Sequence, residues 1–253
     1  MIRRCTWYGL AALVLAQIGY PLTGGGARAA LTAATVVLGF ALSTGHAALT
    51  RGPRVAGVLV LVTTGGGLLV EAAGVATGVP FGGYAYTGTL GPEVAGVPFV
   101  IPLAWTWMAW PAWLVAARLT RHPAARVAVA AAALAAWDVF LDPQMVAEGY
   151  WTWTDPTPAL PGVDGVPLGN YAGWLLVALA MMALFAALAG DRATGPGPDD
   201  APMYALYLWT YASSVLAHAV FLGLPASAAW GALAMGVVAI PLARSLSPRR
   251  VRA

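Results

Sequence analysis

Glu71, Asp138 and Asp142 are carboxyl groups set in some of the most apolar sequence of this 253-residue chain. Asp138 and Asp142 lie in "AAWDVFLDPQMVAEGYWTW" and Glu71 in "GLLVEAAGVATGVPFGGYAYTG". A lone charge in hydrocarbon costs several kcal/mol, so acids in such runs are kept for a use. The two aspartates, four residues apart, share one helix face if the helix continues that far. Pro143 disfavours helical geometry at Asp142, and Asp142 then becomes the N-cap of a short helix ending before Gly149. Aromatic residues follow each acid closely: Tyr84 and Tyr86 after Glu71, Trp151 and Trp153 after Asp138. A carboxyl in an apolar pocket holds its proton more tightly than in water and can deliver it as an acid. Aromatic faces stabilise cations. Acid, electron-rich rings and nearby water suit protonation of a carbon–carbon double bond, with the resulting carbocation captured by water.

The elements that carry these groups are membrane helices. The chain is 60% hydrophobic and 9% charged, with a mean hydropathy of +0.74, whereas soluble domains average about 25% charged residues. The reading is an all-α integral membrane protein. Apolar runs of roughly 18–22 residues, enough to span a bilayer core, recur near 6–22, 29–49, 55–75, 98–118, 124–141, 169–189, 204–224 and 226–243, giving about eight transmembrane helices in a single polytopic domain. Twelve arginines then share one side (Arg3, Arg4, Arg51, Arg54, Arg118, Arg121, Arg126, Arg192, Arg244, Arg249, Arg250 and Arg252), and Arg28 lies on the other. By the positive-inside rule the twelve are cytoplasmic, with both termini, in a bacterial-type cell membrane. The opening "MIRRCTWYGLAALVLAQIGYPLTGGGARA" also fits a signal peptide; the favoured reading is an uncleaved first helix, and cleavage would leave the remaining topology unchanged. The long loops 76–97 and 142–168 face outward, rich in Gly, Pro and aromatics and free of arginine. "GDRATGPGPDD" (190–200) reads as a flexible cytoplasmic linker.

The two acid-bearing segments resemble each other. Glu71 stands to Gly82, Tyr84, Tyr86 and Thr87 as Asp138 stands, 67 residues on, to Gly149, Trp151, Trp153 and Thr154. Each aromatic pair is followed by Gly-Val-Pro (96–98 and 165–167), and each proline by a tryptophan seven residues later, Trp105 or Trp174. Helices three-four and five-six therefore read as a parallel two-helix repeat, an arrangement whose sites commonly lie at the repeat interface. The repeat puts Glu71 and Asp138 at similar depth, about one turn or 5–6 Å below the outer end. Asn170, opening the sixth helix, and His218, in the outer half of the seventh, fall at the same level, while His46 lies near the inner end of its helix. Each has a plainer reading too: Asn170 as a cap, His218 as a packed helix residue, and the aromatics as an interface belt. The tryptophans Trp105, Trp107, Trp110 and Trp113 on one helix exceed what anchoring needs.

Several functions are excluded or disfavoured. The chain has no lysine for a retinal Schiff base, and Cys5, its one cysteine, gives neither a disulfide framework nor a thiolate metal site. His46, His122 and His218 show no metal-ligand spacing, and no nucleic-acid motif is present. Two aspartates could hold Mg²⁺ as in membrane prenyltransferases, but the longer Asp-rich motifs are absent and the outer side offers almost no arginine for a diphosphate. No metal or organic cofactor is expected.

The stretches "EAAGVATGVPFGGYAYTGTLGPEVAGVPFVIPLAW", "AWDVFLDPQMVAEGYWTW" and "GVPLGNYAGW" resemble the membrane carotenoid biosynthesis protein family, which includes bisanhydrobacterioruberin and γ-carotene hydratases. The resemblance covers roughly residues 70–175; "DPTPALPGVD" (155–164) departs from it. It implies addition of water across the terminal double bond of an acyclic carotenoid end, giving a tertiary alcohol. Depth and chemistry then nominate Asp138 as proton donor and Glu71 or Asp142 as the base that orients water, with Asn170 and His218 in support. Tyr84, Tyr86, Trp105, Trp151, Trp153 and Trp174 are the candidates for the substrate groove. The expected partners are a carotenoid taken from the bilayer, membrane lipid and other carotenoid-pathway enzymes. Two rivals remain: a proton-coupled transporter, which would line a path across the whole membrane with polar groups, and a non-catalytic carotenoid-binding or assembly protein. The sequence leaves open which carotenoid is used and whether the step is hydration or another carbocation reaction.

Overall fold

The computed structural model describes residues 2–193 and 195–247 and is almost entirely helical. The helices are α1 (Ile2–Gly19), α2 (Gly25–Arg51), α3 (Pro53–Thr77), α4 (Val100–Leu119), α5 (Pro123–Ala147), α6 (Leu168–Ala189), α7 (Ala201–Leu216, continued by a wider turn Ala217–Phe221) and α8 (Pro225–Leu246). Four short strands stand between them: β1 (Tyr84–Tyr86), β2 (Glu93–Val94), β3 (Val97–Pro98) and β4 (Trp151–Trp153). Among the described residues, seven helical stretches are long and apolar enough to cross a membrane. The expected span at 204–224 is the one left out: α7 and its wider turn carry Tyr204, Tyr207, Trp209, Thr210, Tyr211, Ser213, Ser214 and His218, and α7 packs against α1, α4 and α8.

The core forms around α4, whose span is 94% buried. Its four tryptophans are core residues, not an interface belt; Trp105, Trp107, Trp110 and Trp113 are each at most 4% exposed. Aromatic side chains bury large areas, but an indole N–H taken out of water needs an acceptor. Trp110 Nε1 donates to His46 Nδ1 at 2.9 Å, Trp113 Nε1 to the Ala193 carbonyl at 2.7 Å, and Trp105 Nε1 to Glu71. Thr106 on the same helix meets the hydroxyls of Thr63 and Thr64 at 2.6 and 2.5 Å, tying α4 to a widened turn in α3.

Prolines interrupt two of the central helices, and in each a serine from another helix repairs the gap. A proline lacks the N–H that would bond to the carbonyl four residues earlier. Pro111 in α4 thus leaves the Trp107 carbonyl free, and Ser43 Oγ of α2 donates to it at 2.7 Å. Pro143 in α5 leaves the Val139 carbonyl free, and Ser227 Oγ of α8 donates to it at 3.0 Å. With that acceptor satisfied, α5 does not end near residue 141 but continues to Ala147. Asp142 is therefore a helical residue, not the N-cap of a separate short helix.

One end of the bundle carries the strands. β1 pairs antiparallel with β4, Tyr84 opposite Trp153 and Tyr86 opposite Trp151. The flanking bonds match as well: Thr87 N–H donates to the Tyr150 carbonyl at 3.1 Å, and Thr154 N–H to the Gly83 carbonyl at 2.8 Å. These are equivalent positions of the 67-residue repeat pairing with each other, as a local two-fold relation requires. Gly82 and Gly149, equivalent again, take φ of +89° and +70°, a turn that a side chain would strain. At this end Arg28 of α2 pairs with Glu148. At the opposite end of the same helix Arg51 grips Asp200 through two bonds of 2.9 and 2.8 Å, and His46 Nε2 meets the Asp199 carbonyl at 3.0 Å. Residues 195–200 are thereby held against the bundle.

Candidate active site

Below the paired strands lies a cavity of about 460 Å³. Glu71, from the end of α3, and Asp142, from the end of α5, both line it. The two acids differ in their surroundings. Glu71, 4% exposed, receives three donors: Tyr84 Oη at 2.5 Å and Tyr86 Oη at 2.9 Å on Oε2, and Trp105 Nε1 at 3.1 Å on Oε1. Both tyrosines are on β1, so the strand pairing that fixes β1 also fixes the donors. Burial first, and then the charge of Glu71, holds both phenols well above their ordinary ionisation range, so they stay protonated and able to donate.

Asp142 belongs to a different set. Asp138 and Asp142 lie four residues apart on one face of α5, and both are buried. The side-chain amide of Asn170, at the start of α6, donates to Asp138 Oδ2 at 2.9 Å and to Asp142 Oδ2. Trp151 Nε1 of β4 donates to Asp142 Oδ1 at 3.1 Å. The two aspartates therefore share one amide donor, whereas Glu71 faces three donors of its own.

Of the residues nominated from sequence, Glu71, Asp142, Asn170, Tyr84, Tyr86, Trp105, Trp151, Trp153 and Trp174 all line the cavity. Trp105 and Trp174, the repeat-equivalent tryptophans, stack with centroids 3.9 Å apart and planes 10° from parallel. Gly67 permits this packing, since a Cβ there would lie 2.8 Å from the Trp105 ring. Asp138 is fully buried behind Asp142 and does not line the cavity. His218 is not on the cavity wall either: its Nδ1 meets Ser227 Oγ at 3.0 Å and its Nε2 meets the Gln144 side chain at 3.1 Å. The Gln144 atom in contact is Oε1, which can only accept, so His218 Nε2 carries a proton and donates to it.

Sequence reasoning missed Gln144, Tyr20, Trp107, Trp137, Phe140 and Trp209, all of which line the cavity. Gln144 had a readable signal, a polar side chain two residues beyond Asp142 in a helix, and Trp137, Phe140 and Trp107 stand close to Asp138 and Trp105 in sequence; Tyr20 and Trp209 come from the first and seventh segments, which offered no such neighbour. Among the described residues, no three His, Cys, Asp or Glu side chains are placed to hold a metal ion.

Residues 30–240 match the family described as carotenoid biosynthesis protein. The chain belongs to that family. It is also 35% identical over 150 residues to a bisanhydrobacterioruberin hydratase of Haloarcula japonica, covering 53% of this chain and 50% of that protein. The chain thus spans about half the length of the curated relative it matches. No solved structure matches it. This member of the carotenoid biosynthesis family is a multi-pass membrane protein with Glu71, Asp138 and Asp142 gathered at one end of the bundle.

Proposed function

We propose that this protein is a hydratase that adds water to the terminal carbon–carbon double bond of an acyclic carotenoid end group. The observation that carries the reading is the pair of unlike carboxyl environments at one apolar cavity: two aspartates bridged by the Asn170 amide, read as the acid, and Glu71 under three donors, read as the acceptor. Placing titratable groups in contrasting environments is how one site holds both an acid and a base. The hydratase name of the relative from Haloarcula japonica agrees with it.

Asp142 gives its proton to the less substituted carbon of the terminal double bond; the π pair forms the new C–H bond and leaves a tertiary cation. The electron-rich rings of Trp105, Trp151 and Trp174 line the cavity in which that charge develops. Water bonds to the cation through oxygen, and the resulting oxonium loses a proton to Glu71. Oε1 of Glu71 has Trp105 as its one donor, which leaves a lone pair for that water, whereas Oε2 is occupied by both tyrosines. Exchange with water at the interface carries the proton away from Glu71 and restores it to the aspartate pair. The net change is one water added. Asp138 acts through Asp142, as a positioning residue that shares its proton.

The substrate is drawn from the bilayer, and the arginine-rich side with both termini faces the cytoplasm. The test is to express the protein in cells that accumulate an acyclic carotenoid and to analyse the pigments by chromatography and mass spectrometry. A more polar pigment, heavier by one water and with unchanged absorption, is the expected product. An unaltered pigment with both an unprenylated and a prenylated acyclic substrate would favour the carotenoid-binding alternative.

A further inference from the structure

Most of the cavity wall is closed. The strands and loops cover it at one end, α4 and α5 form its floor, and its acids, tryptophans and tyrosines are buried or half-buried. The lining residues that are exposed are Ile18 and Leu22, on α1 and the turn after it, and Ala212, Leu216 and Phe221, on α7 and its wider turn. All five are apolar, with Leu22 74%, Leu216 56% and Phe221 55% exposed. Trp209 Nε1 donates to Gln17 Oε1 at 2.8 Å and ties the two helices together. The exposed residues all follow this tie in the chain, Ile18 and Leu22 after Gln17 and the other three after Trp209, and line the same cavity as Glu71 and Asp142.

A cavity of about 460 Å³, if round, is roughly 10 Å across, whereas an extended polyene is about as long as the ~30 Å hydrocarbon core. Such a chain cannot be enclosed; the part beyond its end group must leave through an opening, and in a bilayer that opening must face lipid. We propose that the gap between α1 and α7, beyond the Gln17–Trp209 bond, is the lateral mouth through which the end group reaches the acids while the rest of the polyene stays in the membrane. This rests on the substrate being a carotenoid, as proposed above, but not on the reaction being hydration. The small side chain of Ala212 sets the width of the mouth on the α7 side.

The test is Ala212→Trp against Val237→Trp, the latter adding the same bulk to an exposed position on α8 that does not line the cavity. Each full-length variant is purified in detergent from cells that accumulate an acyclic carotenoid, and bound pigment per protein is read by absorbance. Bulk added to a fitted opening obstructs it, so Ala212→Trp is expected to retain about tenfold less pigment than wild type. Val237→Trp should retain the wild-type amount. Equal retention by all three proteins overturns the mouth, and so does an equal loss in both variants. If hydration is wrong but the mouth is right, wild type yields no new pigment and the contrast between the variants persists.

Discussion

Ser227 donates its hydroxyl hydrogen to the Val139 carbonyl at 3.0 Å, the acceptor that Pro143 leaves without an N–H. This single bond lets α5 run on past a proline and so brings Asp138 and Asp142 together one turn apart. Ser227→Ala removes the donor and also strips His218 Nδ1 of its partner. An unsatisfied buried polar group costs about 1–3 kcal/mol, so the variant should unfold at lower temperature in detergent and lose pigment conversion. Unchanged stability would mean that the carbonyl finds another donor.

Asn170→Ala takes away the amide that spans both aspartates. A single positioned hydrogen bond to a charged group is worth about 1.5–3 kcal/mol, which corresponds to conversion falling by about ten- to a hundredfold. Asn170→Asp, which replaces a donor with a third carboxyl group, should lose more than the alanine variant. Initial rates of pigment conversion in membranes check both.

Tyr84→Phe and Tyr86→Phe each remove one donor from Glu71 Oε2 while keeping the ring. Each should lower conversion about tenfold, and the double variant by less than the product of the two, because both bonds serve one oxygen. Strict additivity would show that the tyrosines act separately.

Asp200→Ala serves as a contrast at the far end of the bundle. Asp200 is fully buried against Arg51, and removing one partner of a buried pair costs about 3–5 kcal/mol. The variant should be clearly less stable to heat, yet the fraction that remains folded should make the same product.

The Glu71 half of the site was legible because its parts are close in sequence: the acid, Tyr84, Tyr86 and Trp105 lie within 35 residues, and the repeat with Asp138 points to the same groups. The order of the two aspartates was not. Which of them reaches the cavity depends on the helix passing through Pro143, and that depends on Ser227, which lies on a helix that in sequence shows only apolar character. His218 drew notice as a buried polar residue, and buried it is, but its partners Ser227 and Gln144 set it behind the wall rather than on it. The strand pairing of β1 with β4 follows from the repeat once seen, although period-two segments of three residues are too short to announce themselves. The contributions of α1 and α7 were hidden because neighbours in a membrane bundle are chosen by packing, which hydropathy does not encode.

The most direct test of the central claim is pigment conversion in heavy water by wild type, Asp142→Asn and Glu71→Gln, read by mass spectrometry. Wild type should give a product that gains one water and keeps one carbon-bound deuterium after exchange into ordinary water, while both variants leave the substrate unaltered. A hydrated product without carbon-bound deuterium, or full activity in Asp142→Asn, would contradict proton delivery from the Asp138–Asp142 pair.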